Sequence, residues 1–184
     1  MTAKVKVRDE EVLLERAKAY DERALAELYD HYAPLIYGYI YRRVGDSMLA
    51  ESLVGEVFVK VLNAVQAESA WRTSFTGWLY RIAHNLIVDY HRGQPGGVVV
   101  PLDGQELAAG GNPADTLGNK LSRERLISAV KLLTELQQQV LVLRFGEGLT
   151  ARETAAVMKK SVSAVEALQH RGLVSLRRML QEGE

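Results

Sequence analysis

Apolar residues recur at steps of three and four along most of this chain, and no strand-like alternation appears in its first 92 residues. From Ala24 to Val44 the apolar positions are Leu25, Leu28, Tyr29, Tyr32, Leu35, Ile36, Tyr39 and Ile40. That spacing predicts one amphipathic helix or two abutting ones. Pro34 falls inside the pattern and predicts a break or kink, because proline removes a helix donor. Gly45-Asp46 closes the unit, and Asp46 can cap the next helix. There the stripe is Ala50, Leu53, Val54, Val57, Phe58, Val61 and Val65. A polar stretch from Gln66 to Thr73 follows. The pattern then predicts a helix from about Ser74 to Arg92, with Phe75, Trp78, Leu79, Ile82, Leu86 and Tyr90 on one face.

The helical period stops at Gly93. Up to Gly118 the chain holds Pro95, Pro101 and Pro113, many glycines, and the acids Asp103, Glu106 and Asp115. Residues 94–121 are therefore expected to form a flexible linker. A loop of that length usually separates domains or has a function of its own. Periodicity resumes near Ser122, with Leu126, Ile127, Val130 and Leu133 on one stripe. Thr134 with Gln137 predicts a capping box ahead of Val140, Leu141, Leu143 and Phe145. The expected organisation is an N-terminal tail and helix start over residues 1–20, a helical domain over 21–93, the linker, and a second helical domain over 122–184. The fold class is all-α.

The stretch from Leu149 to Leu180 is the most specific. Thr150 and Glu153 form a second capping box. A short helix carrying Ala155, Val157 and Met158 then stops near Lys159-Lys160. Ser161 or Ser163 can cap the helix that follows. Its buried stripe is Val165, Leu168, Gly172, Leu176 and Leu180. Gly172 on that stripe would let another backbone approach closely. His170, Arg171, Val174, Arg177 and Arg178 lie towards the other side. A capped helix, a tight turn and a second basic helix is the helix-turn-helix pattern.

A second informative stretch, Trp71 to Arg92, sets Trp71, Phe75 and Trp78 among Arg72, Arg81 and Arg92. Rings beside cations suit single-stranded nucleic acid, since unstacked bases can lie on the rings while the cations meet phosphates. For Phe75, Trp78, Leu79 and Ile82, core packing is the better reading of the spacing. Trp71 and Arg72 precede the helix in a polar loop, where a functional reading is stronger.

Charge refines this picture. The chain of 184 residues balances 23 Lys and Arg against 23 Asp and Glu. Residues 19–70 carry four basic and eight acidic residues, whereas 71–92 carry three and one, and 149–184 carry six and four. A neutral total argues against strong unassisted DNA binding, which depends on many phosphate contacts. There is no cysteine, which excludes disulfide scaffolds and thiolate chemistry. No apolar run approaches the ~18 residues needed to span a membrane. The charged start MTAKVKVRDEE predicts no export signal, so no membrane insertion and a cytoplasmic location are expected. His84 and His91 lie ~10.5 Å apart along a helix, too far to share a metal. No phosphate-binding glycine loop, metal cluster or activated nucleophile is present, so neither an enzyme nor a cofactor is expected.

Taken in order, these stretches resemble the two-domain bacterial RNA polymerase sigma factors of the extracytoplasmic-function group. The first domain matches through Leu28-Tyr29 and Tyr32, Gly45-Asp46, AESLVGEVFVKV (50–61) and FTGWLYRIAHNLIVDYHR (75–92). The second matches through LTELQQQVLVLRFGEGLTARETAAVMKKSVSAVEALQHRGLVSLRR (133–178). The resemblance implies that Leu53, Glu56, Phe58 and Lys60 contact the clamp helices of the large polymerase subunit. It implies that Trp71, Arg72, Trp78, Arg81, Asn85, Asp89 and Arg92 capture and open the −10 promoter element. It places Lys160, Ser163, Glu166, His170, Arg171 and Arg177 at the −35 element. The implied partners are core polymerase, promoter DNA and, where one exists, an anti-sigma protein.

The chain departs from the family pattern at three places. Ser52 and Gly55 replace two polar groups of an Asp-Leu-Val-Gln-Glu run. Lys159 or Lys160 stands where the turn usually has a glycine. Glu166 stands where a lysine is common. The expected function is a promoter-specificity subunit in transcription initiation. Two rivals are a stand-alone helix-turn-helix regulator and a diverged sigma-like interaction protein.

Overall fold

The computed structural model describes residues 2–71, 74–93 and 117–181. Among them are eight α-helices and one π-helical turn, and no strand. The all-α expectation is borne out. The chain divides into two units, residues 1–98 and 99–184.

In the first unit, α1 (Thr2–Lys18), α2 (Glu22–Val44), α3 (Ser47–Gln66) and α4 (Phe75–Gly93) pack together. Asp21 caps α2 by accepting from the amides of Arg23 and Ala24 at 2.9 and 3.2 Å. Asp46 caps α3 through the Leu49 amide at 2.9 Å, as expected. Gly45 ends α2 in the left-handed region at φ 69°, where glycine avoids a Cβ clash. The core of this unit includes Ala17, Leu28, Ile36, Tyr39, Ile40, Val57, Leu79 and Ile87, all nearly or fully buried.

The segment expected to hold an N-terminal tail and helix start is helical over Thr2–Lys18, and Tyr32 Oη donates to Glu10 Oε1 at 2.6 Å across α1 and α2. Two expectations are corrected here. Pro34 does not break α2, which runs through it. Pro34 and Asp30 both lie on the exposed side, where water can take the Asp30 carbonyl that proline deprives of its donor. On α4 the packed stripe is Phe75, Leu79, Tyr80, Ala83, Ile87 and His91, so Trp78, Ile82, Leu86 and Tyr90 are only partly buried. Small residues decide this rotation. Gly77 and Ala83 let α4 settle against its neighbours, and Tyr80 meets Tyr39 edge-on at 5.1 Å.

In the second unit, α5 (Leu117–Lys131) begins inside the stretch 94–121 expected as linker. The rest of that linker, residues 94–116, lies outside the described residues. Helix α6 (Glu135–Leu141) continues into a π-helical turn (Val142–Gly146), followed by α7 (Ala151–Met158) and α8 (Val162–Gln181). Gln137 Oε1 accepts from the Thr134 amide at 3.1 Å at the start of α6. A core cluster of Ala129, Val130, Leu133, Leu141 and Leu176 joins α5, α6 and α8. Gly172 is where α8 crosses α6 closely: a Cβ there would meet Leu141 Cδ1 at 3.2 Å and Gln137 Cβ at 3.5 Å.

Candidate nucleic-acid and polymerase interfaces

The helix-turn-helix forms from α7 and α8, whose ends are set by local chemistry. Thr150 and Glu153 close a reciprocal capping box: the Glu153 amide donates to Thr150 Oγ1 at 3.2 Å, and the Thr150 amide to Glu153 Oε2 at 2.7 Å. Helix α7 ends at Lys159, which holds φ 53° and ψ 45°. A left-handed residue just past a helix end is most often glycine. The second helix is capped by Ser161, whose Oγ accepts from the Ala164 amide at 3.2 Å. Ser163 instead pairs with Ser161 at 3.1 Å.

This cap decides where Glu166 sits. With Ser161 as cap, the third helical position belongs to Ala164, so Glu166 lies past the place from which it could close a capping box, and it is exposed. Val165, Gly172 and Leu176 are buried. Ser163, Glu166, His170 and Arg177 therefore share the opposite face by their spacing, with Arg171 at its edge. Lys160 is half-buried in the turn. Arg171 Nε donates to the Ala167 carbonyl of its own helix at 3.2 Å.

One residue that sequence reasoning missed holds this motif in place. Arg144, on the π-helical turn, donates through Nε to Gln169 Oε1 on α8 at 2.9 Å and through Nη1 to the Leu149 carbonyl. It thus ties the turn to the middle of α8 and to the loop that starts α7. The signal was available: Arg144 is the lone cation from Leu132 to Ala151.

On α4 the residues expected at the −10 element come together. Trp78, Arg81, Asn85, Asp89 and Arg92 recur at three and four and share one face. Arg81, Asp89 and Arg92 are exposed, and Trp78 and Asn85 are partly so. Asp89 and Arg92 face each other at 3.8 Å, an exposed pair worth little. Arg72 lies outside the described residues.

Trp71 is placed differently from the rest. It is 4% exposed. Its ring meets Phe75 edge-on at 4.5 Å and Trp78 at 5.6 Å, and Lys18 Nζ lies 5.6 Å from its centroid. Turning it out to meet a base would expose roughly 150–250 Å² of ring surface, a loss of about 4–6 kcal/mol. Stacking on one base returns only about 1–3 kcal/mol. The polar composition of residues 66–73 concealed this, because the partners that bury Trp71 come from α1 and α4.

On α3, Glu56 and Lys60 are exposed alongside Ser52, Gly55 and Val59. Leu53 and Phe58 are not on that surface. They are 6% and 9% exposed, and Phe58 packs edge-on against Tyr29 at 4.7 Å. The surface available to a partner on α3 is therefore the polar face around Gly55. Among the described residues no group of His, Asp and Glu could hold a metal ion, and no helix is long and apolar enough to cross a membrane.

Comparison with known proteins places both units. Residues 28–95 match the family model for sigma-70 region 2, and residues 129–178 match that for sigma-70 region 4. The chain is 36% identical over 174 residues to the ECF RNA polymerase sigma factor BldN of Streptomyces coelicolor, covering 92% of this chain but only 65% of BldN. It is 30% identical over 181 residues to the ECF RNA polymerase sigma factor SigK of Mycobacterium tuberculosis, covering 94% of each. The fold is shared with CnrH, solved in complex with the cytosolic domain of CnrY, at a TM-score of 0.61 and 21% identity, covering 94% of this chain and 97% of CnrH. With a match to region 2 followed by a match to region 4, and 30% identity to SigK over 94% of each chain, the chain belongs to the extracytoplasmic-function family of RNA polymerase sigma factors.

Proposed function

We propose that this chain is a promoter-specificity subunit that directs bacterial RNA polymerase to −35 and −10 elements and helps separate the strands. The observation that carries the reading is the pairing of two differently built surfaces in one chain. The face of α8 (Ser163, Glu166, His170, Arg171, Arg177) suits a major groove, and the face of α4 (Trp78, Arg81, Asn85, Asp89, Arg92) suits unpaired bases. A stand-alone duplex-binding regulator needs only the first. The exposed face of α3, with Glu56 and Lys60, supplies the contact to the polymerase clamp. Acting on the polymerase and its DNA places the chain in the cytoplasm. An anti-sigma protein, where one exists, would act by covering one of these faces. The chain catalyses no reaction itself.

Neutral charge makes polymerase the source of tight DNA binding. Promoter fragments from the host genome should therefore be retained by the chain only when core polymerase is present. Retention of the same fragments by the chain alone would favour a stand-alone regulator. No retention under either condition, with polymerase still bound, would favour an interaction protein.

A further inference from the structure

The two tryptophans of this chain, Trp71 and Trp78, sit in one aromatic group but in opposite environments. Trp71 is closed in by Phe75, Trp78 and Lys18. Phe75, itself 2% exposed, leans on Tyr32 of α2 at 5.0 Å, and Tyr32 is held by Glu10 of α1. Trp78 is the outer member, half-buried, on the same face as Arg81 and Asn85. Its inner side is occupied by Trp71, with the ring planes tilted 48°. Tyr20 of the α1–α2 turn accepts a bond from Gln66 Nε2 at 2.8 Å, which fixes the end of α1 beside the end of α3.

We propose that Trp71 is a positioning residue: it props the ring of Trp78 outward so that an unpaired promoter base stacks on Trp78 and not on Trp71. The inference rests on the sigma-factor reading and adds a division of labour between the two rings. The inner ring sets the angle and the outer ring meets the base. Helix α1 takes part through Lys18, which lies over the inner ring. Loss of Trp71 then weakens base capture without removing the ring that does the capturing.

The test uses the full chain assembled with core polymerase on a promoter it opens. The −10 thymines of the non-template strand are replaced by 5-bromouracil, and adducts formed on irradiation are mapped by peptide mass. The parent protein should carry its adduct on Trp78. Trp71→Phe should keep most of the Trp78 adduct, whereas Trp71→Ala should lose it several-fold. Trp71→Leu, which fills the site with a compact apolar side chain, serves where the alanine protein fails to fold, and should also lose it. An adduct on Trp71 in the parent would overturn the proposal. So would an undiminished Trp78 adduct in a folded Ala or Leu variant, or the absence of both adducts in complexes whose thymines react with permanganate. If parent complexes show no permanganate-reactive thymines, the sigma-factor reading itself fails, and the inference with it.

Discussion

Lys159 sits at φ 53° and ψ 45°, where an L side chain crowds the next carbonyl at a cost of about 1–2 kcal/mol. Glycine would remove that crowding but loosen the unfolded chain, which offsets part of the gain. Lys159→Gly should therefore stabilise the second unit by about 1 kcal/mol or less, read as a higher melting temperature. Glu166 makes a different point. With Ser161 as the cap, it is free to face a groove, where a carboxylate repels phosphate but accepts from the exocyclic amine of cytosine. Glu166→Gln should leave the melting temperature unchanged and relax preference at one base pair of the −35 element, checked by selecting promoter variants with both proteins. Asp21 carries a pH dependence. Its bond from Arg16 at 2.8 Å, with further bonds from the Ala24 and Arg23 amides, lowers its pKa below the ordinary 3.8. A lowered carboxylate stabilises the fold above its unfolded pKa and loses that contribution as pH falls through the native value. Asp21→Asn can still cap α2 but cannot titrate. Its melting temperature should fall less than the parent's between about pH 5 and pH 2.

At the scale of elements, the patterns set by local chemistry were readable. The caps at Asp46 and Thr150, a serine cap at Ser161 or Ser163, and the helix-turn-helix itself follow from residues within a few positions of one another. The close approach at Gly172 was readable from its place on the α8 stripe, while the partners it meets, Leu141 and Gln137, lie on α6. What misled were choices made by distant partners. Helix α4 has apolar residues around more than half its circumference, and Gly77, Ala83 and Tyr80 decide which part packs. Trp71 sits in a polar stretch yet is buried by α1 and α4. The π-helical turn at Val142–Gly146 has no sequence period to announce it. On α3, Gly55 has open space around its missing Cβ. Gly55→Ala should therefore stabilise the helix by about 1 kcal/mol, read in thermal melts. If polymerase binding falls while stability rises, Gly55 is where the partner's backbone comes close. Its neighbour tests the surface directly. Glu56→Ala should fold normally but pull down less core polymerase, and equal recovery would remove the exposed face of α3 from that interface.

At the scale of the molecule, the reading depends on two units acting in one initiation event, one on duplex DNA and one on opened strands. The order of motifs made that legible from residues alone, because each stretch is degenerate by itself and the succession is not. Run-off transcription with purified core polymerase measures it most directly. Templates would come from a randomised promoter pool enriched with the parent protein, compared with the same pool carried through without it. The account predicts discrete transcripts only when this chain is added. It further predicts their loss when the α8 face is altered at His170 and Arg171, and their loss when Trp78 on α4 is replaced by alanine. Transcripts that persist with either face altered, or none with the parent protein bound to polymerase, would contradict it.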